Sequence, residues 1–165
     1  MKKLSAGLIV YRINANRFEV LIAHMGSPWW ARKDKGAWSI PKGEYTNEEP
    51  LAAAKREFRE ELGLEPRAGE YLDLGEIHQK NNKTVRAWAV QADLDVTQTK
   101  SNTVNIEWPP RSGQFADFPE IDRAAYMSID KTAEKLVAGQ QELMERLAEK
   151  LGHKLQAPPE QSSLF

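Results

Sequence analysis

The chain has 165 residues, 41% of them hydrophobic and 28% charged, which supplies apolar material for one core and excludes a chain disordered throughout. Its 23 basic and 24 acidic residues leave a formal charge of -1, which argues against the positive field of a dedicated nucleic-acid binder. Cysteine is absent, so disulfides, thiolate zinc sites and cysteine nucleophiles are excluded, and a cytoplasmic location is expected.

Met1-Lys2-Lys3 followed by LSAGLIVY has a faint likeness to a secretion signal, but Arg12 ends the apolar run and no small-residue cleavage site follows. The segment reads instead as a first strand, Ser5 to Tyr11, paired with a second from Phe18 to His24 across the turn-prone Asn14-Ala15-Asn16. No apolar stretch approaches the roughly 20 residues that cross a bilayer, so no membrane partner is expected. Met25 to Ala37 is a loop bearing Trp29, Trp30, Arg32, Lys33 and Lys35, and a brief strand follows at Trp38-Ser39-Ile40. Pro41, Lys42 and Gly43 are expected to turn the chain.

A helix is predicted from Pro50 to Leu62. Proline is tolerated in a first turn, Ala52-Ala53-Ala54 favour helix, Glu48 and Glu49 suit its positive end, and Gly63 can close it in the left-handed conformation. Tyr71 to His78 and Thr84 to Leu94 read as two strands joined at Lys80-Asn81-Asn82-Lys83. Residues Ser101 to Glu120, with Pro109, Pro110, Gly113 and Pro119, are expected to be a long irregular loop. Arg123 to Ile129 is a last strand, and helical sequence runs from Asp130 to Leu151 with a break at Gly139. The whole is a mixed α+β domain over residues 1–155, with a flexible tail over 156–165.

On a helical wheel of about 100° per residue, Leu51, Ala54, Phe58 and Leu62 form the face that packs on a sheet. Glu57, Glu60 and Glu61 fall beside it at separations of three and four residues. Like charges at such spacings repel by a few tenths of a kcal/mol per pair, so the cluster needs solvent or a cation. A solvated acidic face is one reading. The other is a site for Mg²⁺ or Mn²⁺, which suit carboxylate oxygens better than Zn²⁺ does.

Gly43, Glu48, Arg56-Glu57-Phe58-Arg59-Glu60-Glu61 and Gly63-Leu64 together resemble the signature of the Nudix hydrolases, a loop-helix-loop of Gly, Glu and then R-E-hydrophobic-x-E-E-x-G-hydrophobic. The second half matches at every fixed position. Only Glu44-Tyr45-Thr46-Asn47 separate Gly43 from Glu48, one residue fewer than is usual, which bears on the carry-over to Glu48 more than to Glu57, Glu60 and Glu61. The segments PKGEY and EWPPRSG further resemble a small bacterial Nudix group of unassigned substrate. The resemblance implies an α/β/α sandwich with a mixed sheet.

It also implies roles. Glu57, Glu60 and Glu61 would bind Mg²⁺ or Mn²⁺, with a main-chain carbonyl at Lys42 or Gly43 completing the protein ligands. Arg56 would brace a carboxylate through its planar fork. Trp29 and Trp30 are candidates to stack a nucleobase, weighed against loop or core packing, with Arg32, Lys33, Lys35 and Lys42 drawing phosphates. The general base is sought in the long loop, Glu120 ahead of Glu107, with Glu60 in reserve. His24, His78 and His153 lack ligand spacing, and Ser39 and Ser112 lack triad partners.

The expected activity is metal-dependent cleavage of a diphosphate linkage in a nucleoside diphosphate derivative: a nucleoside triphosphate, a dinucleoside polyphosphate or a nucleotide sugar. An RNA-end pyrophosphohydrolase and a non-catalytic nucleotide-binding module are the alternatives. The expected partner is a small-molecule nucleotide, with no stable nucleic-acid complex, and the chain is expected to be a monomer or homodimer.

Overall fold

The structure is a computed structural model that describes residues 2–66 and 69–156. Strands β1 (Lys3–Asn14) and β2 (Arg17–Met25) form the expected hairpin, turned by Ala15 and Asn16, both at positive φ as a two-residue turn requires. A short β3 (Trp38–Ser39) pairs with β2. The next three residues do more than turn the chain. Lys42–Glu44 is a strand, β4, antiparallel to β1, with Gly7 opposite Lys42 and Ala6 opposite Gly43. The small residues of β1 at this point let the two backbones approach, and the Leu8 N–H donates to the Pro41 carbonyl at 3.1 Å.

Helix α1 (Pro50–Leu62) has the bounds predicted for it. Strands β5 (Leu72–Gln79) and β6 (Lys83–Gln91) follow as a hairpin. The segment expected to be irregular contains a second hairpin, β7 (Thr103–Glu107) and β8 (Phe115–Pro119), which stands apart as a sheet of its own. The alternation Thr103-Val104-Asn105-Ile106 suits a strand, and of the breakers that argued for a loop Pro109, Pro110 and Gly113 lie in its connection while Pro119 ends β8. Strand β9 (Ile121–Ser128) begins two residues before the prediction and pairs with β2.

The predicted helical stretch after it is divided. Ile129–Glu134 forms a 3₁₀ turn, Gly139 lies at φ 93°, and α2 (Gln141–Lys150) completes the fold. The Gln156 N–H donates to Asp130 at 2.7 Å, so the chain is still held where the tail was expected to begin; the rest of that tail lies outside the described residues.

The main sheet runs β3-β2-β1-β6-β5, with β4 also on β1 and β9 also on β2, and only β1 and β6 are parallel. Side chains alternate across it. Ala6, Leu8, Val10, Leu21 and Ala23 pack with Ala53, Ala54, Phe58 and Leu62 of α1. Ile9, Val20, Ile22 and Val85 pack with Leu143, Met144 and Leu147 of α2 on the other face. This is the α/β/α sandwich with a mixed sheet. Phe58 and Leu62 are fully buried, each worth roughly 1.5–3 kcal/mol of transfer free energy, and they fix α1 in rotation as well as in place. Among the described residues no helix is long and apolar enough to cross a membrane.

Candidate active site

The acidic edge of α1 is set by how the helix starts, packs and ends. Glu49 caps the N-terminus, its carboxylate accepting from the Ala52 N–H at 3.2 Å, and Pro50 opens the first turn. Ala53 is fully buried where Leu51 was expected and is only half-buried. Gly63 closes the helix at φ 66° and donates to the Arg59 carbonyl at 2.7 Å. With the apolar face committed, Arg56, Glu57, Glu60 and Glu61 are carried along the edge beside β4.

Arg56 ties this edge together. Its Nε and one terminal nitrogen grip Glu48 at 2.7–3.1 Å, while the other donates to Glu57 at 2.8 Å and to Glu60 at 3.1 Å. The shortened spacer therefore still delivers Glu48 to Arg56, where hydrogen bonding to the guanidinium holds its carboxyl below the usual range. Glu57 lies against Gly43 so closely that a Cβ on Gly43 would fall inside its carboxylate. Glycine is needed there for space.

Burial dominates the protonation of this cluster. It pushes the Glu61 carboxyl up to about 8, with the charges of Glu120 and Glu57 adding to it and the backbone N–H and charge of Lys42 opposing it. That N–H donates to Glu61 at 3.2 Å. Burial likewise holds the Lys42 ammonium below its ordinary value, although Glu61 pulls it upward. Both members of the pair lean toward their neutral forms, because desolvation outweighs their attraction. Glu57 is raised by burial against the pull of Arg56, and Glu120 by burial and then by the charge of Glu60.

Four carboxylates thus repel one another where water cannot fully screen them, and their oxygens suit a hard divalent cation. As positioned, Arg56 draws Glu57 and Glu60 to itself and the Lys42 N–H holds Glu61. Among the described residues no three acidic or histidine side chains form a metal-holding group. The donor chemistry fits such an ion, and ligation requires these side chains to change rotamer.

Glu120 reaches the cluster through the root of the β7–β8 hairpin. The N–H groups of Lys100 and Asn102 donate to the last-turn carbonyls of Leu62 and Glu60 at 2.8 and 3.2 Å, satisfying acceptors that the helix itself cannot. Asn102 in turn accepts from the Glu120 N–H at 2.9 Å, and the Gly26 N–H donates to the Glu120 carbonyl at 2.9 Å. The backbone of Glu120 is fixed from both sides.

The NUDIX domain family description matches residues 1–147. The chain belongs to the Nudix family. No curated protein matches the sequence. Among solved structures, a C. elegans Ap4A hydrolase in a binary complex superposes with a TM-score of 0.65 at 18% identity, covering 90% of this chain and 98% of that one. The NUDIX domain of Shewanella oneidensis NrtR, complexed with ADP ribose, gives 0.60 at 12% identity, with coverages of 92% and 89%. A MutT protein from Methanosarcina mazei Go1 gives 0.59 at 18% identity, with coverages of 91% and 95%. Identities this low establish the shared fold.

The other residues singled out in the sequence are scattered around this Nudix helix. Glu107 accepts from the Arg111 N–H at 2.8 Å at the far end of the hairpin, where it braces the connection. Trp30 packs against the core beneath α2, with the Lys33 ammonium 5.1 Å from its ring centroid. Trp29 is 49% exposed, and Arg32 and Lys35 are exposed on the same loop. His78 meets Thr84 at 3.2 Å and His153 meets Asp130 at 3.0 Å, both structural contacts.

His24 is fully buried, with Nδ1 2.8 Å from Asp122 and Nε2 2.6 Å from the Lys33 carbonyl. It pins the Trp29 loop to β9. Sequence spacing could not reveal this, nor the cap by Asn102 or the contact of Trp29 with Trp108, whose rings meet edge to face at 5.3 Å. The one local signal was a pair of tryptophan-bearing segments, at Trp29-Trp30 and at Trp108.

Proposed function

We propose that this protein hydrolyses a diphosphate linkage in a nucleoside diphosphate derivative, using Mg²⁺ or Mn²⁺, in the cytoplasm. The observation that carries the reading is the convergence of Glu57, Glu60 and Glu61 with Glu120 on one edge of a helix braced by Arg56. The likeness to an Ap4A hydrolase and to a domain bound to ADP ribose supports a nucleotide substrate.

Glu57, Glu60 and Glu61, with the main-chain carbonyl of Lys42 or Gly43, would hold the metal. Bound there, a divalent ion neutralises phosphate oxygens and lowers the pKa of a water for in-line attack on phosphorus. Arg56 holds Glu57 and Glu60 at the helix edge until a metal takes them, and Gly43 leaves room for the Glu57 carboxylate. Glu120, held by its backbone at the hairpin root and raised above an ordinary carboxyl, accepts the proton of the attacking water. Trp29, Arg32 and Lys35, exposed on one loop, would meet the base and phosphates, while burial holds Lys42 toward its neutral form and Trp30 serves packing instead. The products are a nucleoside monophosphate and a phosphorylated second group.

The test is a panel of nucleoside triphosphates, dinucleoside polyphosphates and nucleotide sugars incubated with Mg²⁺ or Mn²⁺, both products being weighed by mass spectrometry. Cleavage between phosphates that stops on exhaustive chelation is expected. Undiminished turnover without metal, or no turnover on any member, overturns the proposal.

A further inference from the structure

Glu120 stands at the junction of two sheets, for Pro119 ends β8 and Ile121 begins β9. Connections of this kind are more mobile than the elements they join, which suits a loop and not a proton acceptor. Here each link from Pro119 to Asp122 is tied to another segment. Pro119 lies opposite Thr103 in the hairpin ladder. The Glu120 N–H donates to the Asn102 carbonyl, and the Glu120 carbonyl accepts from the Gly26 N–H, both at 2.9 Å. The Ile121 N–H donates to the Ser101 hydroxyl at 3.0 Å, and that hydroxyl donates in turn to the Asn102 carbonyl at 2.8 Å. Asp122 meets Nδ1 of the buried His24 at 2.8 Å.

Ser101 contributes through its side chain, and Gly26 by having none. A Cβ on Gly26 would lie 2.4 Å from the Pro119 carbonyl oxygen and 2.9 Å from the Asp122 nitrogen. Both are backbone atoms, so a larger residue must push the Glu120 segment away from β2. The ladder between β2 and β9 also slips at this point: His24 lies opposite Arg123 and Met25 opposite Ile121, which leaves Asp122 bulged. Bulges beside sites re-aim the chain around them. Ser101 itself lies between Lys100 and Asn102, whose N–H groups hold the Leu62 and Glu60 carbonyls. The strap that seats Glu120 is therefore bonded to the last turn of the helix that carries the other carboxylates.

We propose that Ser101 and Gly26 are positioning residues that seat Glu120 against the acidic edge of α1, so that proton acceptor and metal ligands share one frame. The proposal rests on the reading of Glu120 as the group that takes the proton of the attacking water. Neither residue touches the reacting atoms. Both act through the peptide units on either side of Glu120. A misplacement of about 1 Å costs up to roughly 10²-fold in rate, so the loss of one tie registers in turnover before it registers in folding.

The experiment compares Ser101→Ala with Ser101→Thr, which keeps a hydroxyl, and with Ser112→Ala, which removes a like bond from the Gln114 N–H at the far end of the same hairpin. Amide hydrogen exchange at Ile121 is read on the metal-free full chain, and kcat and KM on a cleaved nucleotide. Ser101→Ala should speed exchange at Ile121 by at least about tenfold. It should lower kcat roughly 10- to 100-fold while KM and Mg²⁺ affinity change by less than about twofold. Ser101→Thr should restore both readouts, and Ser112→Ala should match the wild type. In a Glu120→Gln background Ser101→Ala should cost no further turnover, because its effect passes through that carboxylate. Gly26→Ala, checked for folding by a thermal melt, should lower kcat at least as far as Ser101→Ala.

Unchanged kcat or unchanged Ile121 exchange in Ser101→Ala overturns the proposal, as does an equal loss in Ser112→Ala or a full further loss in the Glu120→Gln background. Normal turnover in Glu120→Gln alone sinks the reading of Glu120 as base and the catalytic part of the proposal with it, while exchange at Ile121 still decides whether Ser101 seats that residue.

Discussion

Glu61→Gln tests the electrostatic reasoning apart from catalysis. Glutamine retains an oxygen to accept from the Lys42 N–H, so the fold keeps its local hydrogen bond while one acid is removed. In the folded, metal-free protein burial raises Glu61 from 4.5 to about 8. Below the lower value both folded and unfolded chains carry the proton. Between the two values the unfolded chain releases it and the folded chain keeps it, so stability falls as the pH rises through this window. At about 1.4 kcal/mol per pKa unit the loss attributable to Glu61 is on the order of 5 kcal/mol, complete above about pH 8. Urea unfolding in chelator at half-unit steps from pH 5 to 8.5 measures it.

Wild type should lose stability across that range, Glu61→Gln should lose much less, and added Mg²⁺ should restore wild type at pH 8 but not the variant. Parallel decline of the two proteins would refute the assignment of the buried charge to Glu61. Activity should fall by orders of magnitude in the variant at any metal concentration that leaves it folded.

Glu120→Gln should lower kcat by roughly 10²- to 10⁴-fold with little change in Mg²⁺ affinity by calorimetry; normal turnover across the pH range would pass the role of base to Glu60. Arg56→Lys retains the charge and loses the fork on Glu48, so Mg²⁺ affinity should weaken roughly 10- to 100-fold while thermal stability changes little. Gly43→Ala forces only the flexible end of Glu57 aside, so turnover should collapse with a stability cost under about 1 kcal/mol in urea. His24→Phe preserves the aromatic edge on Trp38 but leaves Asp122 and the Lys33 carbonyl without their partner, a loss of about 2–4 kcal/mol that a thermal melt would detect.

What could be read from the chain alone follows the range of the interactions. Helix α1 was legible at both ends because its signals are local: proline in the first turn, a periodic apolar face, and a glycine whose positive φ the helix end demands. The acidic edge was legible for the same reason, since three- and four-residue spacings are fixed by the helix itself. Strand β4 was misread as a turn because nothing within Pro41-Lys42-Gly43 announces a pairing; the cause sits some 35 residues away, in the small Ala6 and Gly7 of β1. The β7–β8 hairpin was missed because a proline-rich connection hid the alternation on either side of it.

The same distinction separates the parts of the site. Glu57, Glu60 and Glu61 share one helix, but whether Glu120 joins them depends on two backbone hydrogen bonds, at Asn102 and Gly26, that no sequence pattern encodes. Those bonds also explain why the hairpin can bear exposed aromatic surface without a core of its own. Asn102 and Lys100 satisfy the last-turn carbonyls of α1, so opening the hairpin root would expose helix acceptors and shift Glu120 in one movement. The acidic helix and the hairpin are coupled by that shared root, and disturbance at the aromatic tip has a direct path to Glu120.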